Sequence, residues 1–100
     1  MIVLTATLTV EKENQATLLD AVTTKLTETR CKYPGLLKVD IVMDESDRLV
    51  TDYFLIEYWQ SIEVHKECFA WLKQTGFLDE IGAMLTKPLT LNFYNYLQTI

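Results

Sequence analysis

The sequence predicts an α+β domain whose elements run βαββαβ. Three observations carry this reading. Apolar residues recur with a period of two in four segments, two longer segments between them switch to the helical period, and chain breakers fall where the period changes.

In the first strand, over residues 2–10, Ile2, Leu4, Ala6, Leu8 and Val10 fall on one face and Val3, Thr5, Thr7 and Thr9 on the other. Residues 13–32 follow the i, i+3, i+4, i+7 rule of an amphipathic helix through Ala16, Leu19, Val22 and Leu26, with Thr29 or Arg30 continuing the stripe. Tyr33-Pro34-Gly35 ends that helix, because proline cannot continue it and glycine takes the turn. Alternation resumes over 36–43, with Leu37, Val39, Ile41 and Met43 opposite Leu36, Lys38, Asp40 and Val42. After the polar turn Asp44-Glu45-Ser46-Asp47, residues 49–59 form a third strand, and so short a connection makes the pair an antiparallel hairpin.

Ser61 is the expected N-cap of the second helix, which runs to about Gln74 with Glu63 in its first turn. Gly76 interrupts, Phe77 to Leu85 read as a short extra helix, and 87–97 as the last strand. A helix of about 18 residues and a strand of about eight both span roughly 27 Å. Both main helices therefore fit on one face of a four-stranded antiparallel sheet, the ferredoxin-like arrangement.

The 100 residues suit a single domain covering 1–100, and the 49% hydrophobic content is enough for one core. A net charge of −5 disfavours a nucleic-acid partner, since phosphate binding needs clustered Lys and Arg. No apolar run is long enough to span a membrane. The opening MIVLTATLTV lacks a basic leader and reads as a strand rather than a signal peptide, so the expected compartment is the cytoplasm. Cys31, Cys68 and His65 are too few ligands for a structural zinc site, so no metal and two free thiols are expected.

The third strand is apolar on both faces, with Tyr53, Leu55 and Trp59 against Phe54, Ile56 and Tyr58. Two helices cover only one face. A second copy of the chain on the other, as a two-fold homodimer, is the simplest cover.

The runs Tyr33-Pro34-Gly35-Leu36-Leu37 and Ile56-Glu57-Tyr58-Trp59-Gln60-Ser61-Ile62-Glu63, with Lys87-Pro88-Leu89 before an aromatic strand, resemble the antibiotic biosynthesis monooxygenase family. The resemblance covers about residues 30–97. It implies the dimeric α+β barrel and a cofactor-independent monooxygenase acting on a small aromatic or quinol-type molecule. The chain departs from the family pattern in two places. Tyr33 stands where the family has Glu, and Cys68 stands where it has a His nine positions after the Trp. Haem-degrading relatives of this fold use a first-strand Asn and a later His, and here those positions fall near Ala6 and near Leu78 or Ile81.

His65 has the one side chain whose ordinary pKa lies near neutrality, and with Glu57, a carboxylate among apolar neighbours, it is a candidate catalytic base. Trp59 could stack on an aromatic substrate. Tyr53, Phe69, Leu72 and Asn92 complete the candidate substrate-binding set. No Gly-rich phosphate loop or nucleophile elbow is present, so no cofactor is expected. The competing reading is a non-enzymatic, small-molecule-binding or stress-linked dimer.

Overall fold

The computed structural model describes residues 1–100 as β1 (Ile2–Glu11), a 3-10 turn (Lys12–Asn14), α1 (Gln15–Lys32), β2 (Leu36–Asp44), β3 (Val50–Trp59), α2 (Ile62–Gln74), α3 (Phe77–Gly82) and β4 (Thr90–Asn95). The strands form one antiparallel sheet in the order β2-β3-β1-β4. This is the expected ferredoxin-like order. No helix is long and apolar enough to cross a membrane.

β3 shows the period of two most cleanly. Thr51, Tyr53, Leu55, Glu57 and Trp59 are buried, while Asp52, Phe54, Ile56 and Tyr58 are half-buried on the opposite face. On the inner face, Ala6, Leu8, Val10, Tyr53 and Leu55 pack with Leu18 and Val22 of α1 and Ile81 of α3. A second cluster joins Leu4, Leu36 and Trp59 to Cys68 of α2. Cys31 and Cys68 are both free thiols.

Four details differ from the sequence reading, each for a local reason. In α1 the buried stripe is Leu18, Val22 and Thr29, with Leu19 and Leu26 half-buried beside it, and Ala16 is exposed because two residues from Leu18 is about half a turn round the helix. In β2 the register slips between Leu36 and Lys38, so Leu36 pairs with Trp59 and faces the core while Leu37 is exposed. The inserted residue lets Leu36 and Val39 share a face that strict alternation would deny them. α3 stops at Gly82, and Leu85 instead forms an isolated antiparallel bridge with Val10. β4 begins at Thr90, after Pro88, which has no N–H to offer a ladder.

The ends of α1 and α2 are held by named contacts. Ser61 Oγ accepts from Val64 N at 3.3 Å, capping α2 as its sequence position suggests. The Tyr33-Pro34-Gly35 turn comes up against the same helix, where Gln60 N donates to Gly35 O at 2.8 Å. A Cβ on Gly35 would lie 2.7 Å from Val64 Cγ1, so only glycine lets the turn approach α2 this closely. Gly35→Ala should therefore destabilise the fold by about 1–3 kcal/mol through overpacking. Equilibrium urea denaturation measures this, and an unchanged midpoint would contradict the account.

Candidate functional site

Glu57 lies on one of the two central strands, paired with Leu4 of β1 on one side and Val39 of β2 on the other. Its carboxyl points to the inner face, under the helices, and is buried. It accepts one hydrogen bond, from Nε1 of Trp59 at 2.9 Å. The pairing follows from the strand itself, since residues two apart share a face. Burial disfavours the charged form and pushes the Glu57 pKa up to about 7, while the Trp59 hydrogen bond works the other way.

His65, in the first turns of α2, sits among rings. Trp59 meets it edge-on at 5.1 Å, Phe69 stacks at 5.7 Å and Phe93 of β4 meets it edge-on at 5.2 Å. Burial lowers its pKa, so the imidazole is neutral at neutral pH. The Cys68 thiol is pushed up to about 12, first by burial and then by the Glu57 charge, and is therefore an inert thiol rather than a nucleophile.

These side chains line a cavity between sheet and helices that encloses about 70 Å³, or about 610 Å³ with its open mouth included. Of its twenty lining residues sixteen are hydrophobic, and the remaining four are Lys25, Thr29, Glu57 and His65. No sealed polar side-chain atom lacks a partner. The second oxygen of Glu57 and the ring nitrogens of His65, which have no protein partner, are thus not fully sealed, and both residues line the cavity. No group of three or more His, Cys, Asp or Glu side chains is placed to hold a metal ion. Chemically, the arrangement offers an apolar site with one carboxyl near its midpoint of ionisation and one neutral imidazole.

Of the residues singled out in the sequence, Glu57, Trp59, His65, Phe69 and Leu72 come together at this cavity. Tyr53 does not line it. That side chain is in the core, and its hydroxyl donates to Gln15 O at 3.2 Å. Asn92 pairs with Thr5 and is exposed, one strand position away from the inward-facing Leu91 and Phe93. The sequence reading missed Lys25 and Phe93. Lys25 lies three residues after Val22 and four before Thr29, so the α1 stripe itself pointed to it. Phe93 reaches His65 only because β4 pairs with β1, which local sequence does not encode.

The family profile described as "Antibiotic biosynthesis monooxygenase" matches residues 1–79. No curated protein sequence matches the chain significantly. Among solved structures, a candidate antibiotic biosynthesis monooxygenase from Deinococcus radiodurans is 20% identical, with a TM-score of 0.82 over 100% of this chain and 96% of that one. One from Nitrosomonas europaea is 15% identical, with a TM-score of 0.81 over 98% of this chain and 100% of that one. A Streptomyces coelicolor monooxygenase in complex with the ligand nanaomycin D is 18% identical, with a TM-score of 0.74 over 99% of this chain and 89% of that one.

The raised pKa of Glu57 has a consequence for stability. From its ordinary value of 4.5 up to about 7, the unfolded chain has lost the proton that the folded one keeps. Stability contributed by this residue therefore falls as pH rises through that window, by about 3 kcal/mol in all. Glu57→Gln, which keeps an acceptor for Trp59, removes the effect. Urea denaturation of both proteins across pH should show the variant gaining on the wild type from pH 4.5 to about 7 and levelling off above. A difference independent of pH would contradict the assignment.

Proposed function

The chain belongs to the antibiotic biosynthesis monooxygenase family, and from that premise we propose that it is a cofactor-independent monooxygenase acting on a small phenolic or quinol-type substrate in the cavity between sheet and helices. The observation that carries the reading is that Glu57 and His65 open onto one apolar cavity beside the Trp59 ring. The nanaomycin D complex of the Streptomyces coelicolor relative supports a small-molecule ligand for this fold.

In this reading Glu57 is the general base. A carboxyl with a pKa of about 7 is ionised often enough at neutral pH to accept a proton, and is basic enough to hold it. The neutral His65 accepts or donates a hydrogen bond at a substrate oxygen, and Trp59 offers a face for stacking. Removing the phenolic proton leaves an electron-rich ring. A ring carbon bearing hydrogen then gives an electron pair to O₂ and forms a C–O bond. The peroxide takes up a proton and loses water, and the carbon becomes a carbonyl. One phenol and one O₂ thus give one quinone and one H₂O. The apolar walls keep bulk water from quenching the anion.

The enclosed 70 Å³ is smaller than the roughly 150 Å³ that holds a benzene, so the substrate has to displace part of the wall. α3, which supplies Phe77, Leu78 and Ile81 and follows the left-handed turn at Gly76 (φ 81°), forms part of that wall.

The reading also includes a second copy of the chain. Phe54, Ile56 and Tyr58 on the outer sheet face are half-buried, and Val42 and Tyr94 are about half exposed. Covering this face with itself buries a self-complementary apolar patch. Ile56→Asp or Tyr94→Asp should turn a dimer into a monomer or unfold the chain. Analytical ultracentrifugation checks this, and a wild-type monomer at micromolar concentration would sink the dimer.

The catalytic proposal is tested by oxygen uptake with a panel of reduced naphthoquinols and phenols, without nicotinamide or flavin. The base must be deprotonated, so the rate should rise with pH through about 7 and then level. Glu57→Gln should lower the rate by roughly 10²-fold or more and remove that inflection. An inflection that survives Glu57→Gln but is lost in His65→Ala would move the base role to His65. No uptake across the panel would leave the binding-protein reading.

A further inference from the structure

One charged side chain at the cavity has no part in the proton transfer just described. Lys25 projects from α1 and is one of only four residues in the lining that are not hydrophobic. Its Nζ lies 4.9 Å from the Trp71 ring centre and 5.7 Å from that of Phe77, so the ammonium sits between α2 and the start of α3. The side chain is 17% exposed, as a residue at the mouth should be.

Its one ionic partner is weakly placed. Nζ meets Glu28 Oε2 at 3.2 Å, but Glu28 is 55% exposed. Surface pairs of this kind contribute little and are easily exchanged. Two turns further along α1, Lys32 places its Nζ 5.4 Å from the same Trp71 ring without lining the cavity. Two ammonium groups thus lie by the Trp71 ring on a chain of net charge −5. The Glu57 carboxyl is influenced only by burial and Trp59, with no cation against it. The cation and the acid thus address different parts of any molecule lying between them.

We propose that Lys25 makes the cavity selective for aromatic molecules that carry an anionic substituent, such as a carboxylate, at the end away from the hydroxyl presented to Glu57. The inference rests on the cavity being the binding site. The ligand anion displaces Glu28 from Lys25 and gains a charge-assisted hydrogen bond beside the Trp71 and Phe77 rings. A merely structural Lys25, stapling α1 to α2 through its contact with Trp71, would affect stability without distinguishing charged from neutral ligands.

The test uses two molecules of the same shape, 6-hydroxy-2-naphthoate and 6-hydroxy-2-naphthamide, titrated into the full-length protein by calorimetry. The wild type should prefer the carboxylate by about 10-fold or more at low salt, and less at high salt. Lys25→Met and Lys25→Gln should bring the preference to within about two-fold by weakening the carboxylate and leaving the amide. Lys25→Arg should keep most of it. Lys32→Met, which changes net charge equally, should keep it too. Equal binding of both molecules by the wild type would overturn the role of Lys25 while leaving the cavity reading standing. So would a preference that survives Lys25→Met, or one that Lys32→Met abolishes as completely. Binding of neither molecule would overturn both.

Discussion

A carboxyl group on a central strand, covered by helices and held by a single indole N–H, is the constraint around which the site is organised. Glu57 cannot reach solvent at a sheet edge, because β1 and β2 flank β3 on both sides. It has no cationic partner, and Trp59 gives it one hydrogen bond. An ionised carboxylate in that position is costly, so the group holds its proton to about pH 7. The packing around it follows. Trp59 is set against His65 and His65 against Phe69 and Phe93, and Trp59, His65 and Phe69 line the cavity with Glu57. A hydrophobic residue at 57 would avoid this penalty but would leave the buried Trp59 N–H without its acceptor.

The two faces of the sheet divide the labour. The inner face holds the cavity and its titratable groups, with helices as the roof. The outer face presents Phe54, Ile56 and Tyr58 with Tyr94, and has no helix of its own. The match to structures only 15–20% identical over nearly the whole chain fits this division. What such chains need in common is the alternation of apolar residues and the places where it stops, and many sequences supply both.

The fold was largely legible in the sequence because its signals are local. The alternation from Thr51 to Trp59, the Ser61 cap and the Pro34-Gly35 turn each act within a few residues, and each stands where it was expected. What escaped depends on distance or on single insertions. The bulge that exchanges Leu36 for Leu37 in the core is one extra residue, and a period-two reading carries on past it with the wrong parity. Tyr53 shares a strand face with Glu57, yet it belongs to the core beneath α1, because one strand face is longer than one cavity. Asn92 was placed by the type of its side chain rather than by its pairing with Thr5. Lys25 is absent from the sequence-based candidates, although its helical position puts its stem along the apolar stripe.

The central claim is that Glu57 is a cavity-facing acid whose proton is available near neutrality. Carbon-13 NMR of the protein with labelled glutamate side chains follows its carboxyl directly as pH is varied. The account predicts one glutamate titrating at about 7, lost in Glu57→Gln and shifted when a phenolic ligand is added. Titration of every glutamate near the ordinary 4.5, with none displaced by ligand, would contradict it.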